Sequence, residues 1–129
     1  MGLVYAPKNG TILICAYNFG MAPEMEKPRP VVLLASVSAG LGIVVPLSTT
    51  APKPQKPWHY LLTFNEPISD HFSKMQAWAK CDMIASVSFG RLNLPQVGKR
   101  HGRRVYKEMR VNDADLAAIR TAVWQAISS

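Results

Sequence analysis

The chain has 129 residues and a formal net charge of +7, with 15 lysine and arginine residues against 8 aspartate and glutamate residues. That length fits one domain, which we expect to span residues 1–129, and the charge favours a polyanionic partner such as nucleic acid. Cys15 and Cys81 lie far apart and form no CxxC motif, which argues against a disulfide framework and a zinc site. We expect reduced, buried thiols in a cytoplasmic protein with no cofactor.

Two apolar stretches could be mistaken for targeting or membrane segments. The run "TILICAY" is too short for a secretory signal and has no basic region before it. Residues 31–52 carry no charge, but they contain Gly40, Pro46 and a Ser-Thr-Thr cluster. Two core strands joined by a turn explain this stretch better than a membrane span, so we expect no membrane association.

Taken in chain order, the apolar runs predict five strands. Each run is rich in strand-forming residues and is bounded by turn residues. The runs cover residues 10–17, 31–37, 41–47, 58–64 and 77–87, the last of them kinked. Between the first two strands the prolines predict a loop with stiff corners, and "SAG" (38–40) predicts a turn.

The rest of the chain predicts fewer regular elements until its end. Residues 65–76 form a polar insert with room for one or two helical turns, and residues 88–92 favour a short helix. A C-terminal helix capped by Asn112 or Asp113 has an apolar face made of Leu116, Ile119, Val123 and Ile127. The pattern predicts a mainly β protein with a C-terminal helix (α+β), built as a small antiparallel barrel.

The stretch "EMEKPRPVVLL" (24–34) places Arg29 between Pro28 and Pro30 at the start of a predicted strand. The prolines stiffen the backbone on both sides. A fixed, permanently charged guanidinium can grip a phosphate at two oxygens, which makes Arg29 a candidate phosphate ligand. A surface arginine at a strand start remains the alternative.

Two further segments follow strands or lie on them. Ser48 and Thr49 come at the end of a predicted core strand, where a rigid scaffold meets an open loop. Either a catalytic hydroxyl or a plain Ser/Thr turn fits. Lys80 and Asp82 are spaced to share one face of the last predicted strand, either as a solvated edge or beside a phosphate site.

Residues 93–110 form a basic segment that contains six of the chain's 15 lysine and arginine residues. Four of them are candidate RNA contacts: Lys99, Arg100, Arg103 and Arg104. Tyr106 and His101 are interleaved, and only Glu108 opposes the positive charge. Such a pattern is typical of nucleic-acid contact, although a solvated loop would have the same composition.

Four blocks, taken in order, resemble the MazF/PemK/Kid toxins of bacterial type II toxin–antitoxin systems. The blocks are "EMEKPRPVVLL", "VVPLSTT", "HYLL" and "AKCDMIASVSFGRL". The resemblance implies an SH3-like barrel of the CcdB/MazF type with a C-terminal helix, paired as a homodimer. It also implies metal-independent cleavage of single-stranded RNA and a cognate, acidic, partly disordered antitoxin, with DNA contacted only through the antitoxin complex.

The resemblance also implies roles for individual residues. Arg29 matches the catalytic arginine, Glu24 matches a glutamate upstream of it, and Ser48 or Thr49 supplies the catalytic hydroxyl. The remaining matches are candidate RNA contacts: His59, Lys80 and Asp82, with Trp58 beside them. The chain departs from some relatives at Pro23 and Ala85, where they carry a histidine and a basic residue.

The mechanism that the resemblance implies uses the substrate's 2′-OH as the nucleophile. Arg29 would then stabilise negative charge on the phosphate, and Glu24 would act as a base or orient Arg29. A CcdB-like topoisomerase poison on the same fold and a non-catalytic nucleic-acid-binding module are the competing interpretations. Cleavage of RNA by the purified protein would distinguish an endoribonuclease from both of these alternatives.

Overall fold

The structure is a computed structural model that describes residues 2–3, 5–17, 21–23, 25 and 27–129. These residues contain nine strands and one α-helix. The strands are β1 (Ile12–Cys15), β2 (Arg29–Ser38), β3 (Leu41–Ser48), β4 (His59–Thr63), β5 (Gln76–Lys80), β6 (Ala85–Ser88), β7 (Leu92–Asn93), β8 (Gln96–Arg100) and β9 (Arg103–Tyr106), and the helix is α1 (Asp113–Ser128). The predicted class, mainly antiparallel β with a C-terminal helix, is confirmed.

Strand β3 is the centre of the larger sheet. The strand order is β4-β5-β3-β2-β1-β7, and β6 also pairs with β3. The first half of β3, Leu41–Val44, pairs with β6, whereas Leu47 and Ser48 at its end pair with β5. The prediction of one strand over 77–87 was therefore wrong, because a 3₁₀ turn at Cys81–Met83 moves the chain from one half of β3 to the other.

Side chains alternate along β1, β2 and β3, so that each strand contributes to two apolar clusters. The first cluster packs against helix α1 and includes Ile12, Val32 and Leu47. The second cluster contains residues of the opposite parity, such as Leu13 and Val31. Because both faces of the sheet centre are covered, β2 and β3 lack the polar alternation of a half-exposed strand.

Helix α1 begins where the sequence indicates. The Asn112 side chain caps it, since its Oδ1 accepts the backbone N–H of Asp115 at 2.7 Å. The apolar face is buried at Leu116, Ile119 and Val123, whereas Ile127 is 63% exposed. No helix in the described part of the chain is long and apolar enough to cross a membrane.

The insert 65–76 and the basic segment 93–110 both differ from the structure expected from the sequence. The insert 65–76 contains no helix, because Pro67 interrupts it and reciprocal backbone hydrogen bonds between Ser69 and Phe72 hold a turn instead. The basic segment contains a separate hairpin of β8 and β9. Its two-residue loop, His101 and Gly102, has φ values of 52° and 77°, as a tight hairpin turn of two left-handed residues requires. The predicted short helix is confirmed as a 3₁₀ turn at Phe89–Arg91.

Candidate active site at the ends of β2 and β3

Arg29 and Ser48 lie at the same end of two paired strands. Arg29 is the first residue of β2 and Ser48 is the last residue of β3. The two strands are antiparallel, with Val31 opposite Pro46. Continuing that register by two residues brings Arg29 opposite Ser48, and the alternation of side chains puts both on the same face of the sheet.

The Arg29 side chain is half-buried, and its guanidinium has an uncommon environment. Its Nε atom is buried and has no hydrogen-bond partner among the described residues. The backbone beside it is fixed, since Arg29 pairs with Cys15 of β1 and Pro30 pairs with Ile14. Buried donors are almost always partnered in folded proteins, so this unpaired Nε is an exception among the described residues, and the rest of the half-buried guanidinium is available to an anionic oxygen.

Ser48 and Thr49 have different environments. Ser48 is only 6% exposed, and its Oγ accepts the backbone N–H of Thr50 at 3.2 Å. Because that contact uses a lone pair, the hydroxyl proton stays available to a second acceptor. Thr49 is exposed and lines a groove of about 470 Å³ together with Trp78.

Trp78 is a neighbour of this site that the sequence analysis missed. Trp78 belongs to β5, where it lies opposite Ser48 of β3 on one side and opposite Leu61 of β4 on the other. The alternation in "QAWAK" could have revealed it, because Ala77 and Ala79 are buried whereas Trp78 and Lys80 share the other face. An indole beside the hydroxyl offers a surface on which a base can stack.

His59 joins Lys80 and Asp82 near the end of β5. His59 is the cross-strand partner of Lys80, and its Nε2 lies 3.8 Å from Oδ1 of Asp82. The expectation that Lys80 and Asp82 share a strand face was wrong, because Asp82 belongs to the 3₁₀ turn that follows β5. Asp82 instead lines an open groove of about 700 Å³ with Arg91 and Tyr17.

The other candidates lie in different surroundings. Trp58 packs partly buried against the first core cluster, and its indole N–H is buried without a partner among the described residues. Glu24 lies outside the described residues. The four basic candidates of the hairpin are all exposed and belong to the smaller sheet: Lys99, Arg100, Arg103 and Arg104.

The two cysteines are free and buried, as predicted. Burial raises the pKa of the Cys15 thiol to about 11 and that of the Cys81 thiol to about 12. Both thiols therefore stay protonated near neutral pH, which makes them poor nucleophiles. The described residues include no group of three or more His, Cys, Asp and Glu side chains that could hold a metal ion.

The fold is shared with solved structures of bacterial toxins. One is an endoribonuclease in complex with its cognate antitoxin from a mycobacterial species, with a TM-score of 0.61, 19% identity, and coverage of 95% of this chain and 96% of that chain. Another is the Mycobacterium tuberculosis toxin MazF-mt6, with a TM-score of 0.57, 15% identity, and coverage of 91% and 95%. At these identities the likeness establishes the fold: an antiparallel β structure of the MazF type with a C-terminal helix.

The sequence comparison identifies the family. Residues 8–126 match the family described as PemK-like, MazF-like toxin of type II toxin–antitoxin system. The Escherichia coli (strain K12) protein YifN is 35% identical, and the match covers 72% of this chain and 76% of that protein. This chain belongs to the PemK-like, MazF-like toxin family, which confirms the resemblance carried by the four sequence blocks.

Proposed function

We propose that this chain is a toxin endoribonuclease that cleaves single-stranded RNA, including mRNA, without a metal ion and thereby inhibits growth. The observation that carries the proposal is the placement of Arg29 and Ser48 at one end and on one face of β2 and β3, in a chain of the toxin family. A cation and an alcohol held on a rigid sheet can contact one phosphodiester together.

The proposed reaction is an internal transfer within the RNA. The 2′-oxygen attacks phosphorus after losing its proton to a base, and the bond from phosphorus to the 5′-oxygen breaks. The 5′-oxygen takes up a proton, which leaves a 2′,3′-cyclic phosphate on one product and a 5′-hydroxyl on the other. Because the nucleophile belongs to the substrate, this route needs no metal-activated water.

Arg29 has the role of charge stabilisation in this proposal. Extra negative charge develops on the phosphoryl oxygens as the 2′-oxygen attacks, and a preorganised guanidinium can offer two N–H groups to them. The pKa of an arginine side chain, above about 12, argues against proton transfer near neutral pH. Loss of one such preorganised donor raises a reaction barrier by about 3–4 kcal/mol.

The hydroxyl and the surrounding polar groups have supporting roles. Ser48 donates its hydroxyl proton to a phosphoryl oxygen, since its lone pair already accepts the N–H of Thr50. Thr49 with Trp78, and Lys80 with His59, contact the nucleotides on either side. Glu24 takes the proton of the 2′-OH or orients Arg29.

The proposal extends to the partners of the protein. One fold relative is an endoribonuclease in complex with its cognate antitoxin, and this chain's net charge of +7 suits an acidic, partly disordered antitoxin. We propose that such an antitoxin neutralises it, that DNA is contacted only through the antitoxin complex, and that the toxin is a cytoplasmic homodimer. A small acidic product of the neighbouring gene would supply the candidate antitoxin.

The experiment is incubation of purified protein with a long, unstructured RNA in EDTA, followed by analysis of the product ends. We expect fragments with 2′,3′-cyclic phosphate and 5′-hydroxyl ends, and no cleavage of the same sequence made as DNA. Salt-sensitive binding without fragments would instead favour a non-catalytic nucleic-acid-binding module. Inhibition of a topoisomerase without RNA cleavage would favour a CcdB-like poison.

A further inference from the structure

The insert 65–76 and the hairpin β8–β9 have no role in the proposed reaction, yet the structure joins them. Asp70 donates its backbone N–H to the carbonyl oxygen of Gln96 at 3.1 Å. Lys107, just after the hairpin, donates its Nζ to the carbonyl oxygen of Pro67 and lies 3.3 Å from Oε1 of Glu66. The insert therefore braces the hairpin against the rest of the molecule.

A groove of about 780 Å³ lies where these two segments meet the N-terminal strands. Phe72 and His71 of the insert, Tyr106 and Arg104 of the hairpin, and Pro28 all line it. Pro28 directly precedes Arg29 in the sequence, and Ile14, which pairs with Pro30, also lines the groove. Since Ile14 faces the groove whereas its neighbour Cys15 pairs with Arg29, the groove and the Arg29 side chain lie on opposite faces of the sheet, and an RNA chain would reach the groove by passing around the start of β2.

The hairpin presents different residues on its two faces. Arg104 and Tyr106 both line the groove, and they are two residues apart on β9, as residues on one strand face must be. Lys99 pairs with Arg104 and so belongs to the groove face. Arg103 is next to Arg104 on β9, so its side chain lies on the opposite face of the hairpin. Arg100 pairs with Arg103 and therefore belongs to that opposite face as well.

We propose that this groove binds unpaired nucleotides of the RNA that flank the cleaved bond. Tyr106, which is 47% exposed, offers its ring to a base, and the ring of His71 lies in the same lining. Arg104 and Lys99 contact the phosphates between those nucleotides. The inference rests on the proposed function, because it names where the rest of the RNA substrate lies.

The lining favours RNA over an acidic peptide. Aromatic rings beside basic side chains are the usual surface for single-stranded nucleic acid, because each base has a face to stack and each linkage has a charge. The groove also contains the side chains of Asn93, Gln96 and Ser69, which can hydrogen-bond to base edges. An acidic peptide would use the cations but would gain little from these groups.

The test measures binding rather than cleavage, so that its outcome is separate from the outcome for the proposed function. The probe is a fluorescein-labelled 12-nucleotide RNA of mixed sequence with 2′-O-methyl groups throughout, which has no free 2′-OH to attack. Binding is followed by fluorescence anisotropy at several salt concentrations. We expect Tyr106→Ala to weaken binding about tenfold, a loss typical of one stacked base, and Tyr106→Phe to bind as the parent does.

Two double variants with the same change in charge provide the control. Lys99→Gln with Arg104→Gln removes two cations from the groove face, whereas Arg100→Gln with Arg103→Gln removes two from the opposite face. We expect about a tenfold loss of affinity and a shallower salt dependence for the first pair. The second pair should lower the RNA affinity only about twofold, because those two cations attract the RNA only through their screened long-range electrostatic field.

Equal losses for the two pairs, or unchanged binding by Tyr106→Ala, would overturn the groove proposal even if the parent cleaves RNA. Binding of a polyglutamate peptide that competes with the RNA and is lost in Tyr106→Ala would overturn it in favour of an acidic-peptide site. Conversely, groove variants that lose RNA binding in a protein that cleaves no RNA would support the groove and contradict the proposed reaction.

Discussion

The imidazole Nε2 of His59 lies 3.8 Å from Oδ1 of Asp82, and its Nδ1 accepts the backbone N–H of Lys56 at 2.9 Å. Since Nδ1 accepts this hydrogen bond, Nε2 is the ring nitrogen that faces the carboxylate. Only 8% of the His59 side chain is exposed. The ring is therefore held in place by contacts at both nitrogens.

This geometry predicts that His59 positions the site and does not act as the general base. We expect His59→Gln to lower the RNA cleavage rate by no more than about tenfold, because general acid–base groups usually contribute 10²–10⁴-fold. Asp82→Asn should have a similar, small effect. Single-turnover cleavage at saturating enzyme measures both, and a loss of a thousandfold in His59→Gln would assign it a proton-transfer role.

We expect the neighbouring hydroxyls of Ser48 and Thr49 to contribute differently to the RNA cleavage rate. Ser48→Ala should lower the cleavage rate by about 10²-fold, as for other preorganised donors, whereas Thr49→Ala should stay within about tenfold. Ser48→Thr keeps the hydroxyl and should recover most of the rate. Thermal unfolding provides the control, since the bond from Thr50 to Ser48 also holds the turn. If Ser48→Ala lost only thermal stability, with its cleavage rate intact, the hydroxyl would have a structural role alone.

The buried thiols predict alkaline instability. The pKa values of Cys15 and Cys81 are raised from 9.0 to about 11 and about 12, so between pH 9 and 11 the unfolded chain loses thiol protons that the folded chain keeps. The free energy of unfolding should therefore be unaffected by these groups below pH 8 and fall as the pH rises above 9. Urea unfolding at pH 7.5 and 10 measures this difference.

Replacing both cysteines with alanine should make that decline shallower, which separates the thiols from tyrosine and lysine titration. A thiol reagent gives an independent measurement at pH 8. Neither thiol should react in the native protein, because both are buried, and both should react in urea. Rapid reaction of the native protein would contradict the buried placement.

A side-chain hydrogen bond joins strand β4 to the helix. The Tyr60 hydroxyl donates to Oδ1 of Asp115 at 2.6 Å, and this bond is the main reason that the pKa of Tyr60 is raised. We expect Tyr60→Phe to lower the free energy of unfolding by about 1 kcal/mol. The control is Tyr106→Phe, whose exposed hydroxyl should contribute almost nothing. Equal unfolding free energies for both variants would contradict the role of the bond.

The strands that form the site could be predicted because local sequence determines them. The apolar runs before and after "SAG" have the composition of buried strands, and both appear as β2 and β3. The helix cap at Asn112 and the apolar spacing of the helix were equally local signals. Family resemblance added what no local pattern contains, namely the expectation that Arg29 and Ser48 belong to one site.

Pairing partners could not be predicted, because they depend on residues distant in the chain. Whether 77–87 is one strand or two depends on β3, which pairs with β5 at one end and β6 at the other. The alternation in "QAWAK" indicates which face Trp78 occupies, but its place opposite Ser48 depends on the register. The hairpin was hidden because His101–Gly102 is a weaker turn signal than Asn-Gly, and the charges around it resemble those of a solvated loop.

The central claim is that Arg29 stabilises the charge that develops on the cleaved phosphate. The most direct measurement is the rate of RNA cleavage in EDTA by Arg29→Ala and Arg29→Lys, with circular dichroism and sedimentation to verify folding and assembly. We predict a loss of about 10²–10³-fold for Arg29→Ala and a partial recovery for Arg29→Lys, which keeps the charge but not the fork. Cleavage at the parental rate by folded Arg29→Ala would contradict the account.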